Sequence, residues 1–148
     1  DVVEGGVRSG AAVLPAVLHS HRPIDLMLIL LGTNDLKTRF SVSALEIARS
    51  VERLVLMAWA EGVVRDVLIL APVPVREVGS LREIFAGAEA RQLHLETHLQ
   101  AVAARQSTGF FDAGQVAQVS DLDGVHWDTA AHHALGAALT PVVKARLA

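Results

Sequence analysis

The sequence contains no cysteine among its 148 residues. Without thiols the chain can form neither a disulfide framework nor a thiolate metal site, and this suits a cytoplasmic location. No apolar run approaches the roughly 20 residues that a membrane-spanning helix needs. The high apolar content, 51% with a mean hydropathy of +0.39, is therefore expected in a core or a subunit interface. It also favours association into a homo-oligomer.

A surplus of positive charge is also missing. The chain has 13 basic and 16 acidic residues, a formal net charge of −3, and no basic cluster. Nucleic acid and anionic membrane surfaces are therefore poor candidates for partners. The chain also lacks a glycine-rich phosphate loop, which argues against a nucleotide-binding α/β domain. Nothing in the sequence implies a cofactor or a metal.

Short β-rich runs alternate with longer helical patterns along the chain. Because the runs are largely apolar, they are expected to be strands buried on both faces. The runs are Ile24–Leu31, Arg65–Ala71 and a weaker one at Thr108–Gly114, and Asp1–Gly6 resembles the end of a further strand. Alternation of this kind predicts an α/β fold, with a parallel sheet between helices. The length suits a single domain over residues 1–148.

Four helical patterns accompany these runs. Ser43 and Glu46 form a capping box at the start of the second pattern, and Gly62 can end it. A first pattern covers residues 11–21 and has Pro15 in its first turn or at a kink. A third covers residues 81–106 and is broken near Gly87. The last covers residues 129–147, has Asp128 as its N-cap and contains Pro141.

The polar segment Gly32-Thr33-Asn34-Asp35 comes directly after the first long apolar run. In parallel sheets, ligands bind beyond the carboxyl ends of the strands, so Asn34 is a candidate oxyanion donor for acyl transfer. The alternative is an ordinary turn in which Asn34 and Asp35 bond to their own backbone. The segment alone does not decide between these two interpretations.

A second polar cluster, Ser120–Asp128, precedes the last helical pattern and contains Asp123 and His126. Their spacing lets the carboxylate reach the imidazole Nδ1–H within one turn and leaves Nε2 as an outward-facing base. Such a pair forms two thirds of a nucleophilic triad. A loop histidine bonded to a nearby aspartate explains the same pattern without catalysis.

Other residues are weaker candidates. Trp127 lies beside the candidate base and is a candidate wall of an acyl pocket, although ordinary packing explains it nearly as well. The weaker pocket candidates are Val73, Phe40 and Phe85. His94 and His98 have a spacing that a zinc site could use, but no carboxylate-rich partner motif accompanies them, so a solvated helix face is the better interpretation.

The two polar clusters together resemble a known family. "GTND" after an apolar strand and "DGVH" before the final helix resemble blocks III and V of the SGNH (GDSL-type) hydrolases, and Val2–Val7 is similar to the strand that leads into block II. "PIDLMLILLGTNDLKTRF" and "FFDAG" are similar to the arylesterase and acyltransferase branch. The resemblance implies a flavodoxin-like three-layer α/β/α fold and hydrolysis of a small-molecule ester, or acyl transfer. It also implies that His126 is the general base, Asp123 its orienting carboxylate and Asn34 an oxyanion donor.

The chain departs from the family pattern in two places. The family nucleophile is the serine of a G-D-S motif after the first strand, and no serine here has that context. The loop that follows Val7 is also short, so the oxyanion donor of block II is assigned to no residue. We therefore expect the sequence to be N-terminally incomplete, with the first strand of the sheet missing. The alternative is a non-catalytic SGNH-like binding or assembly module that lacks the nucleophile.

Overall fold

A computed structural model describes residues 9–148 of the chain. The described part contains a three-stranded sheet in the order β1-β2-β3 with all strands parallel. The strands are β1 (Met27–Ile29), β2 (Val67–Ala71) and β3 (Gly109–Asp112). The strand end predicted at Asp1–Gly6 and the block II similarity at Val2–Val7 lie outside the described residues.

Helices pack on both faces of this sheet, as the alternating sequence pattern predicted. They are α1 (Gly10–His21), α2 (Ala44–Glu61), α3 (Ala88–Arg91), α4 (Leu95–Gln106) and α5 (Thr129–Leu147). Pro15 lies inside α1 beyond its first turn, and Pro141 lies inside α5. None of these helices combines the length and the apolar character that crossing a membrane requires.

Both ends of α2 follow local sequence signals. The Ser43 hydroxyl accepts a hydrogen bond from the Glu46 N–H at 3.3 Å, and the Glu46 carboxylate accepts one from the Ser43 N–H at 2.8 Å. Gly62 ends the helix in the left-handed conformation, with φ of 64°. The predicted capping box and glycine stop are therefore confirmed.

The segment 81–106, which was predicted as one helix with a break, forms a run of turns followed by two helices, α3 and α4. Gly87 has φ of 77° and ends a run of turns, so the predicted break is confirmed. His94 also adopts a positive φ, 67°, and separates α3 from α4. The helical expectation for residues 81–87 was wrong, because this segment forms turns that bury Phe85.

Successive side chains of a strand point to opposite faces of the sheet, and the sheet has a hydrophobic cluster on each face. Ile29, Ile69 and Phe110 pack in a large cluster with α1, α2 and α4. Leu30 and Phe111 pack in a smaller cluster with Ala131, Leu135 and Leu139 of α5. The sheet therefore lies between two helical layers of unequal size.

The prediction that the strands are buried on both faces is confirmed for β2 and is wrong for β1. All five residues of β2 are buried. In β1, by contrast, Leu28 is 42% exposed, and Leu31 just beyond the strand is 47% exposed. β1 is an edge strand in the described sheet, and the cluster on the α5 side reaches Leu30 but not Leu28. An apolar sequence cannot by itself show which of its faces another element will cover.

An ion pair connects the C-terminal end of α5 to the residue that precedes β2. The Arg146 guanidinium donates to both carboxylate oxygens of Asp66 at 2.8 Å. This bidentate hydrogen bonding lowers the pKa of Asp66, despite the opposing effect of partial burial. Gly109 gives the guanidinium room, because a Cβ there would lie 2.7 Å from the Arg146 Cζ.

Candidate active site

The turn that carries Asn34 follows β1 directly. Gly32 has φ of 124°, and a Cβ at this position would lie 2.9 Å from the Ile47 Cγ2, so the close approach to α2 requires glycine. The following 3-10 turn, Thr33–Leu36, leaves Asn34 exposed. Its side-chain amide bonds to no residue of the described part. The alternative of an ordinary turn therefore holds for Asp35, whose carboxyl accepts its own N–H, but not for the Asn34 side chain, which folds back onto no backbone group.

Asp35 stands next to this amide in an unfavourable position for a carboxylate. Although part of the residue is accessible, burial of the carboxyl raises its pKa, and the hydrogen bond from its own N–H offsets this only partly. The raised pKa indicates that the Asp35 carboxyl gives up its proton less readily than a free aspartate does.

Asp123 and His126 form the contact that their spacing predicted. The Asp123 Oδ2 lies 2.6 Å from the His126 Nδ1, and Oδ1 accepts hydrogen bonds from the N–H groups of Val125 and His126, both at 2.9 Å. With Nδ1 donating to a carboxylate, the neutral ring has its lone pair on Nε2. The His126 side chain is 74% exposed, so this basic nitrogen is accessible.

The environment of Asp123 favours its ionised form. Partial burial alone would raise the pKa of Asp123, but the N–H donors of His126 and Val125, together with the imidazole, outweigh it and lower the pKa below its ordinary value. A carboxylate held ionised in this way can orient the ring and stabilise an imidazolium.

Gly124 shapes the loop that contains this pair. It has φ of 75°, and a Cβ would lie 2.0 Å from the Arg76 carbonyl oxygen. The Gly124 carbonyl accepts the Arg76 N–H at 2.8 Å, the Leu122 carbonyl accepts the Ser80 N–H at 3.0 Å, and the His126 carbonyl accepts the Ser120 N–H at 2.7 Å. The first two bonds connect the loop to the segment that follows β2, and the third closes the loop on itself.

The weaker pocket candidates have different surroundings. Val73 and Phe85 are 3% and 1% exposed and belong to the two cores. Trp127 is partly buried against the α5-side cluster and contacts the His132 ring at a centroid distance of 5.2 Å. Phe40 is 47% exposed, with the Arg39 guanidinium 5.0 Å from its ring centre. Of these four residues, Phe40 is the most accessible.

Two concave regions lie near the strand ends. A groove of about 620 Å³ borders the loop Ser120–Asp128, which carries the Asp123–His126 pair and is called the dyad loop below. The groove is lined by Arg76, by residues 114–121 and by the start of α5. A smaller pocket of about 200 Å³ lies between Pro72, Leu95 and Asp112. Neither lining includes Asn34, Asp123 or His126, and the described contacts join Asn34 to neither member of the pair.

No serine hydroxyl in the described part of the chain bonds to the His126 imidazole. Ser120 is the serine nearest in sequence, and its hydroxyl accepts the Leu122 N–H at 3.2 Å. The Ser43 hydroxyl caps α2. Over residues 9–148, no group of three or more potential metal ligands forms a cluster, and His94 and His98 belong to no such group.

Comparison with solved structures adds independent information. A carbohydrate acetylesterase family member from Sinorhizobium meliloti matches with a TM-score of 0.90 and 35% identity, over 97% of this chain and 71% of that one. The inhibitor-bound aryl esterase of M. smegmatis matches with a TM-score of 0.83 and 34% identity, over 92% and 67%. A second carbohydrate acetylesterase from S. meliloti matches with a TM-score of 0.86 and 32% identity, over 92% and 67%. No protein-family model and no curated protein matches the chain.

These similarities place the chain among α/β proteins with the fold of ester hydrolases. It belongs to the SGNH-type esterase family, which includes carbohydrate acetylesterases and arylesterases. The fold class inferred from the alternating pattern is thereby confirmed.

Proposed function

We propose that the chain is part of a serine-type carboxylic ester hydrolase, in a single SGNH-hydrolase domain. The observation that carries this proposal is the Asp123–His126 contact of 2.6 Å, with the opposite ring nitrogen accessible. The esterases among its structural relatives support the same reaction class. Since no described serine reaches the ring, the nucleophile is proposed to come from residues other than those described.

In the proposed reaction, His126 Nε2 takes the proton of a serine hydroxyl while the serine oxygen attacks the ester carbonyl. Asp123 stabilises the imidazolium that forms, and the Asn34 amide donates to the oxyanion of the tetrahedral intermediate. The imidazolium then protonates the departing alcohol, leaving an acyl-serine. Water, or a second alcohol in acyl transfer, attacks the acyl group by the same route in reverse.

The proposed substrates are small esters of the kind named for the structural relatives. Acetylated carbohydrates and aryl esters both present a short acyl group on a larger alcohol. We assign the exposed Phe40 and the partly buried Trp127 to substrate contact, and Val73 to support from the core beneath. No cofactor, metal, nucleic acid or membrane takes part in this proposal, and a homo-oligomer is consistent with the exposed Leu28 of β1 and Leu31 just beyond it.

The oxyanion role is tested by replacing Asn34 in the active enzyme. Asn34→Ala is expected to lower kcat for a short-chain aryl ester by about 10²–10³-fold, because one donor to the developing charge is lost. Gln100→Ala is the matched control, since Gln100 is an exposed amide on α4. An unchanged kcat in Asn34→Ala would refute the assigned role.

A second candidate is a binding or assembly module, which the absence of a described serine near His126 favours. The two candidates are separated by intact-mass analysis of the protein from its natural source after treatment with a serine-directed phosphonate. The esterase proposal expects an adduct on a serine. A mass near 15.7 kDa without an adduct would favour the binding module.

A further inference from the structure

Three segments at the carboxyl edge of the sheet carry the candidate chemistry or border it. They are the 3-10 turn Thr33–Leu36, the segment 72–80 after β2, and the loop Ser120–Asp128. Each segment follows a different strand, and most of its residues lie beyond the paired positions of the sheet. One short element, α3 with Gln92, contacts two of them directly.

Arg91 connects α3 to the turn that carries Asn34. Its Nη2 donates to the Leu36 carbonyl at 2.5 Å, and its Nη1 donates to the Ala86 carbonyl at 3.1 Å. Gly87 makes room for this guanidinium, because a Cβ there would lie 2.6 Å from Nη1. The Arg91 Nε is buried without a partner among the described residues. The Arg91 side chain as a whole is half-buried, and its two carbonyl contacts hold the guanidinium between the turn and α3.

Gln92 connects the same element to the segment after β2. Its Oε1 accepts the Val75 N–H at 2.8 Å, and its Nε2 donates to the Val75 carbonyl at 2.8 Å. One side-chain amide thus satisfies both backbone groups of a residue that is 1% exposed. Removal of this amide would leave both backbone groups of Val75 without these bonds.

Glu77 and Glu89 form a second contact between α3 and the segment after β2. The Glu89 carboxylate accepts the Glu77 N–H at 2.7 Å, and the Glu77 carboxylate accepts the Glu89 N–H at 3.1 Å. Backbone donors of Gly87 and Glu89 lower the pKa of Glu77. The segment after β2 is therefore held to α3 at two successive points.

The segment after β2 in turn holds the dyad loop. The Arg76 N–H, next to Val75, donates to the Gly124 carbonyl at 2.8 Å, and Gly124 adjoins Asp123. A continuous series of bonds therefore runs from Leu36 through Arg91, α3, Gln92, Val75 and Arg76 to Gly124. It joins the amide of Asn34 to the pair Asp123–His126, which share no described contact.

We propose that Arg91 and Gln92 are positioning residues that fix the turn bearing Asn34 relative to the Asp123–His126 pair. The catalytic consequence rests on the proposed esterase function, but the structural coupling does not. Both side chains act through backbone carbonyls and N–H groups, so neither needs to contact substrate. Sequence analysis gave no signal for either residue beyond the break at Gly87.

The coupling is tested by NMR of the isotopically labelled protein with conservative replacements. Gln92→Glu keeps the side-chain shape but loses the donor to the Val75 carbonyl and puts a carboxylate against it. The expected result is a change in chemical shift at Val75, at Gly124 and at the His126 imidazole nitrogens. Gln100→Glu, at an exposed position on α4, should change none of these. Chemical shift changes at Val75 without any at Gly124 or at the His126 imidazole would overturn the proposal.

Arg91→Lys is a second variant. It keeps the positive charge, but a lysine lacks the planar guanidinium that donates to the Leu36 and Ala86 carbonyls. It is expected to move the resonances of Leu36 and of the Asn34 side-chain amide, whereas the exposed control Arg82→Lys should not. Unmoved resonances at Asn34 would overturn its part of the proposal.

Kinetics of the active enzyme separate this proposal from the proposed function. Each variant is expected to lower kcat by about tenfold or more with little change in KM, since small misplacement of catalytic groups is costly. Shift changes at His126 together with unaltered turnover would support the coupling and refute the catalytic assignment. Lost turnover without those shift changes would refute the coupling.

Discussion

The glycine between Asp123 and His126 provides the sharpest test of how the candidate site is built. Gly124→Ala adds a Cβ that would lie 2.0 Å from the Arg76 carbonyl oxygen and 2.9 Å from the Val78 carbonyl oxygen. Both neighbours are backbone atoms, so they cannot move aside by a change of rotamer. The backbone at this position also has φ of 75°, which L side chains rarely adopt.

The expected cost follows from these two effects. An alanine in the left-handed region costs about 1–2 kcal/mol relative to glycine. Displacing the segment after β2 also breaks the hydrogen bond from the Arg76 N–H to the Gly124 carbonyl, which contributes about 0.5–1.5 kcal/mol. Together with a small contribution from the overlap with the Val78 carbonyl oxygen, these effects are expected to lower the free energy of unfolding by about 2–4 kcal/mol.

Urea unfolding followed by far-UV circular dichroism measures this change. Gly136→Ala is the matched control, because Gly136 lies inside α5 and a Cβ there meets no atom within 4 Å. The control should stabilise the protein by about 0.5–1 kcal/mol through helix propensity. A destabilisation by Gly124→Ala below about 1 kcal/mol would show that the loop accommodates a side chain, contrary to the steric argument.

Two further predictions concern the dependence of stability on pH. Arg146→Gln should destabilise the protein by about 1–3 kcal/mol at pH 7, because it breaks the bidentate contact with Asp66. Since that contact lowers the pKa of Asp66, its contribution begins to decrease below the ordinary aspartate value of about 4 and is lost as the pH falls through the lowered pKa, so the urea midpoints of wild type and variant should approach each other over that range. Asp35→Asn should raise the urea midpoint at pH 7, because the raised pKa of Asp35 shows that the fold disfavours its ionised form. The gain should vanish near pH 3, where the carboxyl is protonated in both states; an equal gain at both pH values would refute this explanation.

Features that depend on neighbouring residues were the ones that sequence could predict. The capping box of Ser43 and Glu46 and the N-cap at Asp128 are local bonds, and α2 and α5 begin where these signals place them. The contact of Asp123 with His126 spans three residues and follows from chain geometry alone. The resemblance to the SGNH hydrolases likewise depended on short motifs, "GTND" and "DGVH".

Features that depend on distant residues could not be predicted in this way. The exposure of Leu28 depends on which elements cover β1, and no periodicity in the strand contains that information. His94 adopts a positive φ, although the pattern there is typical of an uninterrupted helix. The contact of Arg91 with Leu36 joins residues far apart in sequence, and no local motif marks either of them.

The bonds between the segment after β2 and the dyad loop have a consequence for the order of folding. α2 has start and stop signals of its own, whereas Arg76 and Gly124 meet only after the intervening chain, including α4 and β3, has closed a long loop. Contacts that close long loops tend to form late, because their entropy cost comes before their energetic return. We therefore expect the dyad loop to be largely unformed in the folding transition state. A defect there, as in Gly124→Ala, should accelerate unfolding and leave the folding rate nearly unchanged.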